Sequence, residues 1–143
     1  MDRPDDDDSR SSACRNHAIK LYKNGDSKAI FNLKNVLSAQ DILQFKRRIL
    51  KKLNIPSYDD KVTQQSLRLF SIKGVEYYDY DSIDSLSKVN ALYYSFSEDF
   101  NYQARLDTLK FKRELGKGGF GTVDLMYDEL NEKEVAVKLI NFR

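Results

Sequence analysis

The chain has 143 residues, 41% hydrophobic and 32% charged, with 24 Lys and Arg against 22 Asp and Glu for a net charge of +2. That length holds one ordinary domain, or a small domain plus part of another, and the apolar share supplies a modest core rather than a disordered chain. No apolar run reaches the length of a membrane span, the opening MDRPDDDDSR carries no apolar leader, lone Cys14 excludes an internal disulfide, and no His/Cys spacing suggests a metal site.

A cytoplasmic address follows as the default expectation. The small net charge conceals an uneven distribution. Residues 1–14 hold five acids and two bases, residues 15–110 hold sixteen bases and eleven acids, and residues 111–143 hold six of each. The basic middle suits an acidic protein surface as readily as nucleic acid.

In chain order, residues 1–14 mix Asp, Ser and Arg and predict a disordered acidic tail. HAIKLYKNGDSKAIFNLKNV, from His17, predicts two strands, with Ile19 and Leu21 on one face and Phe31 and Leu33 on a face of the partner. Asn24-Gly25-Asp26 between them is a hairpin signal, because its turn residues tolerate positive φ. SAQDILQFKRRILKKL, Ser38 to Leu53, predicts a helix opened by Ser38 and Asp41 in a capping-box-like spacing, with basic residues late where the helix dipole favours them.

Ile42, Phe45, Ile49 and Leu53 form the apolar stripe of that helix, widened by Leu43 and Leu50. Lys46 falls in the same arc and is expected to reach out at its edge. NIPSYDDKVTQQ predicts a loop, with Pro56 stopping the helix. LRLFSIKGVEYYDY predicts a second hairpin turning at Lys73-Gly74, SIDSL a short helical turn, ALYYSF a last strand, and SEDFNYQARLDTLK a connector centred on residues 101–109.

The order strand, strand, helix, strand, strand, turn, strand predicts an α+β fold. It is a ubiquitin-like β-grasp arrangement, a mixed sheet with one packed helix, because that architecture covers the helix stripe economically. On the residues IKLYKNGD (Ile19 to Asp26) and LRLFSIKGVEYYDYDSIDSLSKVNALYYSF (Leu67 to Phe96), the segment 15–100 resembles a doublecortin domain. It departs from that pattern in lacking the glycine usual after the opening of the second strand.

The resemblance implies binding to tubulin in microtubules, and hence a cytoskeletal location. Lys46, Arg47, Arg48, Lys51 and Lys52 supply a run of bases with no acid among them, with Lys20, Lys23, Arg68 and Lys73 extending it. Such a field speeds association with an acidic surface in a salt-dependent way. An alternative is a non-catalytic microtubule-binding or scaffold module, the latter similar to Phox/Bem-type domains, with Asp79, Asp81 and Asp84 as its acidic cluster and Lys20 as the basic counterpart.

The segment 110–143 carries a different signal. Gly116-Lys117-Gly118-Gly119-Phe120-Gly121-Thr122-Val123 fits G-x-G-x-x-G-x-V, a pattern shared with dinucleotide sites, where a helix follows the glycines. Here Val123, Leu125 and Tyr127 alternate with polar residues, DELNEK turns, and Val135, Val137 and Leu139 alternate again, so strands follow instead. Val135-Ala136-Val137-Lys138 completes a pattern that resembles the first strands of a eukaryotic protein kinase. The expectation is an incomplete, antiparallel three-stranded kinase N-lobe sheet.

The resemblance implies an ATP site. Gly116, Gly118, Gly119 and Gly121 would let backbone N–H groups reach phosphates, with Lys117 within the loop and Phe120 capping its tip. Val123 and Ala136 would face the adenine, and Lys138 would pair with the α and β phosphates. The helix glutamate, catalytic aspartate and magnesium-holding residues of the family do not follow. The 143 residues are therefore expected to be inactive alone, as part of a Ser/Thr-type kinase that uses Mg-ATP, with no catalytic residue in this stretch.

His17 and Cys14 are assigned no role. The tyrosines at 77, 78, 80, 93 and 94 read as strand residues rather than a stacking platform, and acids rather than bases intervene among them over residues 76–81, which argues against nucleic acid.

Overall fold

The computed structural model describes residues 17–55 and 66–140. The tail expected over residues 1–14, and most of the loop expected after the first helix, lie outside them. The fold is α+β, mostly strands in two sheets, and the chain divides into two compact units, one ending at Phe100 and the other starting at Asn101.

The first unit holds strands β1 (Ile19–Lys23) and β2 (Ala29–Leu33), helix α1 (Ile42–Lys52), and strands β3 (Leu67–Phe70), β4 (Glu76–Tyr77) and β5 (Ala91–Phe96). The sheet order is β2-β1-β5-β3-β4, with β1 and β5 parallel and the other pairs antiparallel. A parallel pair cannot be closed by a tight turn. The chain therefore passes through α1 and the β3–β4 hairpin before β5 fills the centre. That position explains why residues 91–95 are all buried while β2, at an edge, is mostly exposed.

Alternation along the strands separates two packed layers. Ile19, Leu21, Leu67, Leu69 and Leu92 meet Phe45, Ile49 and Leu50 of α1 in one apolar core. On the other face Tyr93 lies 5.2 Å from Tyr22 and 5.4 Å from Phe100, and Phe100 lies 5.5 Å from Phe70. Phe100, read from sequence as connector, thus closes an aromatic layer.

The first hairpin turns where Asn24-Gly25 predicts. Asp26 N–H donates to Lys23 O at 2.9 Å, and Gly25 alone uses the positive φ, at 95°. Helix α1 starts later than the sequence suggests. Ser38 ends a short 3-10 turn and donates to Asn35 O, whereas extended Asp41 caps α1 by accepting from Gln44 N–H at 2.8 Å. A cap needs its oxygen on the extended residue directly before the first helical one, and Asp41 holds that place.

The helix also ends by its own means. Asn54 adopts a left-handed φ of 63°, Asn54 N–H donates to Lys51 O and Ile55 N–H to Leu50 O. These two bonds satisfy the last carbonyls in the Schellman pattern, before Pro56 is reached. The expected stripe is buried at Ile42, Phe45, Ile49 and Leu50, with Leu53 half-buried at its end. SIDSL forms a 3-10 turn, Ile83–Leu86, capped by Ser82.

The second unit contains helix α2 (Tyr102–Asp107) and strands β6 (Lys110–Gly118), β7 (Gly121–Asp128) and β8 (Lys133–Ile140), the strands antiparallel in the order β6-β7-β8. The connector expected over residues 101–109 is therefore largely this short helix, started by Asn101 accepting from Ala104 N–H. Arg105 reaches from it to Asp128 at 2.7 Å, both side chains nearly inaccessible. Among the described residues of this unit no hydrophobic side chain is buried.

Candidate phosphate-binding hairpin and basic cleft

The glycine pattern occupies the turn between β6 and β7. Gly118 pairs with Gly121, leaving Gly119-Phe120 as the two-residue tip. Gly121 has φ of 131°, a conformation that a side chain would strain. The Phe120 ring folds back over the strand, so that a Cβ on Gly118 would lie 2.8 Å from Phe120 Cε1.

Gly116 and Gly119 differ. Neither has positive φ, and a Cβ at either would meet nothing within 4 Å. The folded hairpin itself does not require glycine at these two positions. What the missing side chains leave is bare backbone open to an approaching group, as a phosphate cradle needs.

Register brings the rest of the set together. Gly116 pairs with Val123, and Val123 pairs with Lys138, so these three form one row across the sheet. Ala136 pairs with Leu125 two positions along, on the same face by the alternation of strands. The Lys138 ammonium stands 4.8 Å from the centre of the Phe120 ring, a cation–π contact that holds it at the glycine turn. Lys117 pairs with Thr122 instead, and alternation turns its side chain to the opposite face. Of the predicted set, Lys117 can contribute backbone there but not its ammonium.

Leu125 belongs to the apolar row although the sequence reading gave it no role beyond its strand. The signal was present in the alternation of Val123, Leu125 and Tyr127. Asp124 lies on the other face, paired with Glu114 and Val137, and Asp128 is engaged by Arg105.

The basic run of the first unit divides under folding. Lys46 is only 5% exposed and donates to Asp79 at 2.7 Å, so it leaves the outward field in which the sequence reading placed it. Burial of its stem among apolar neighbours is offset by the charged bond at its tip. Arg48 donates to Lys34 O at 2.8 Å and to Asn35 O at 3.1 Å, which ties α1 to the end of β2. Arg47, Lys51 and Lys52 lie exposed.

Between these elements opens a cleft of about 500 Å³, lined by Asn32, Leu33, Lys34, Arg48, Lys51 and Lys52. Four of the six residues are cationic and none is acidic. Lys34 was absent from the predicted patch, because fourteen positions separate it from Arg48 and only the fold makes them neighbours.

Arg68, expected to extend the field, is held by Glu76 and Asp99, each at 2.8 Å. Those hydrogen bonds raise its pKa further above its already high value and offset its charge. The acids read as a Phox/Bem-type cluster also have internal roles. Asp79 holds Lys46, Asp81 accepts from Tyr78 N–H at 2.7 Å, and Asp84 sits in the first turn of the 3-10 segment. His17 Nε2 lies 2.7 Å from Val89 O and 3.0 Å from Leu86 O, bridging to the loop before β5.

Among the described residues no helix is long and apolar enough to cross a membrane. No protein-family model matches the chain, no curated protein matches it, and no solved structure matches it.

Proposed function

We propose that the chain joins an acidic-surface-binding module to the nucleotide-holding strands of a protein kinase. The observation that carries the kinase half is the row Gly116–Val123–Lys138 with the Lys138 ammonium at the glycine turn. A dinucleotide site continues from its glycines into a helix, whereas this turn continues into β7. The β6-β7-β8 meander supports reading this unit as the first three strands of a kinase small lobe.

In this reading the backbone N–H groups of Gly116 to Gly121 cradle the phosphates of ATP, and Lys138 neutralises them. Val123, Leu125 and Ala136 give the adenine an apolar wall, with Ala136 small enough to leave room. ATP supplies the transferable phosphoryl group, and these residues bind and orient it. Binding of a fluorescent ATP analogue to the full chain, with and without magnesium, is the test. Saturable binding that Lys138→Met weakens about tenfold or more fits loss of a charge-assisted contact. Equal binding by the two proteins would falsify the role of Lys138.

For the first unit, the order β2-β1-β5-β3-β4 with α1 across one face supports the ubiquitin-like β-grasp assignment, and with it the doublecortin-like reading. The proposed partner is the acidic surface of microtubules, met by Arg47, Arg48, Lys51 and Lys52. Co-sedimentation that falls with salt and is abolished by reversing Arg47, Lys51 and Lys52 to Glu is the expected result. Pelleting unaffected by the reversal removes this surface from the interaction.

A further inference from the structure

The basic cleft lies where the chain enters the fold. Ile19, the first residue of β1, pairs with Leu33, which lines the cleft, and Lys34 follows at once. Just before β1, His17 O accepts from Val36 N–H at 3.2 Å, so the entering chain is fixed beside the Lys34–Asn35 carbonyls that Arg48 grips. Two independent contacts therefore hold the start of the first unit at the rim of the cleft.

The ammonium groups of Lys34, Lys51 and Lys52 have no ion-pair partner among the described residues. Arg48 donates to two backbone carbonyls and to the Ser38 hydroxyl, none of which carries a compensating charge. The cleft is thus an uncompensated cationic site, and its volume is within the ~300–1,000 Å³ typical of pockets that take a ligand.

The same chain carries four consecutive aspartates, Asp5 to Asp8, upstream of this entry point. Asp8 precedes Ile19 by eleven positions, so at most ~40 Å of chain separates them. A tether of that length keeps the carboxylates at an effective concentration on the order of millimolar around the cleft. The run carries four adjacent negative charges, and the cleft lining carries four cations and no acid.

We infer that the cleft formed by Lys34, Arg48, Lys51 and Lys52 is a docking site for the chain's own acidic run, Asp5 to Asp8. The run then acts as a built-in competitor for any external acidic partner of the same surface. The contact requires only the cleft and the tether, and it stands apart from the microtubule reading.

The probe is a fluorescein-labelled hexaglutamate peptide, titrated into the full chain at low salt. Replacing Asp5 to Asp8 by Asn (D5N/D6N/D7N/D8N) frees the cleft and tightens probe binding by about three- to tenfold, the inverse of the fraction left open by the tail. Because the replacement also raises net charge, it is repeated in a K34Q/K51Q/K52Q background, where no tightening is expected. Carbodiimide cross-linking, read by mass spectrometry, joins Asp5–Asp8 to Lys34, Lys51 or Lys52 in the monomer, and the links vanish at high salt.

Equal probe affinity with and without the aspartates shows a site for external anions only and overturns the docking. Tightening that persists in the K34Q/K51Q/K52Q background assigns the effect to net charge and overturns it too. Failure of every variant to bind the probe removes the anion site itself. No outcome involves tubulin, so the fate of the microtubule reading is read separately.

Discussion

The ammonium of Lys46, in the middle of α1, lies 2.7 Å from Oδ1 of Asp79, in the segment after β4, with the Lys46 side chain 6% exposed and that of Asp79 41% exposed. One partner is inside and the other at the surface, so the two ends of the pair respond differently to substitution. Asp79→Asn leaves a buried cation weakly matched and is expected to cost about 1–3 kcal/mol, less than for a fully dry pair because water reaches Asp79. Lys46→Met keeps the apolar stem and removes the charge, so its cost should stay within about 1 kcal/mol. Urea denaturation of the two variants checks the asymmetry, and equal losses contradict it.

The glycines of the β6–β7 turn separate by reason. Gly121, at φ of 131°, is required by the backbone, and Gly121→Ala should destabilise the hairpin by about 1–3 kcal/mol. Gly116→Ala and Gly119→Ala meet no neighbour and no strain, so folding should change by about 0.5 kcal/mol or less. If these two positions are bare in order to admit phosphate, the ATP analogue weakens in both while amide exchange of the hairpin is preserved. Preserved nucleotide binding in both variants would show that open backbone there serves no phosphate.

Among its described residues the second unit holds its shape without a buried apolar core. Its described apolar side chains are half-buried or exposed, Phe111 and Ile140 among the exposed ones, and its most enclosed polar contact is Arg105–Asp128. Local stability follows buried apolar contact, so amides of β6 to β8 should exchange much faster than those of β1, β3 and β5. Hydrogen exchange followed by mass spectrometry gives the comparison directly. Equal protection in the two units contradicts the expectation.

Alkaline pH should weaken the first unit. Burial holds the Tyr94 phenol above its ordinary pKa of 10.0, assisted by Asp26, and burial does the same to Tyr77, assisted by Asp81. A phenol whose folded pKa is raised keeps its proton longer in the folded chain than in the unfolded one. Its contribution is fully present below about pH 10 and is lost as pH rises through the folded value. Stability measured from pH 8 to 11.5 should decline above pH 10, and Tyr94→Phe should make the decline shallower. An identical slope in the variant removes Tyr94 as a cause.

Much of this architecture could be read from local patterns. Strand alternation, the Asn24-Gly25 turn, the stripe Ile42-Phe45-Ile49 and the glycine turn before Val123 each rest on residues a few positions apart, within the range where backbone geometry alone relates them. The start of α1 was less legible, because Ser38 and Asp41 both suit a cap and their backbone conformation selects between them. Asn54 likewise ends the helix before Pro56, through a left-handed conformation that asparagine permits without advertising it.

The amino-acid order by itself determined the strands and helix α1, though not α2, and that Lys138 follows a glycine turn at strand spacing, since period and turn chemistry are local. Only the tertiary structure decided which charges face outward. It buried Lys46 against Asp79, tied Arg68 to Glu76 and Asp99, turned Lys117 away from Lys138, and brought Lys34 beside Lys51 and Lys52. Apart from Lys117, whose facing follows from its pairing with Thr122, these depend on contacts between residues that are not sequence neighbours. A charge acts through the distance and solvent around it, and both are set when the chain folds.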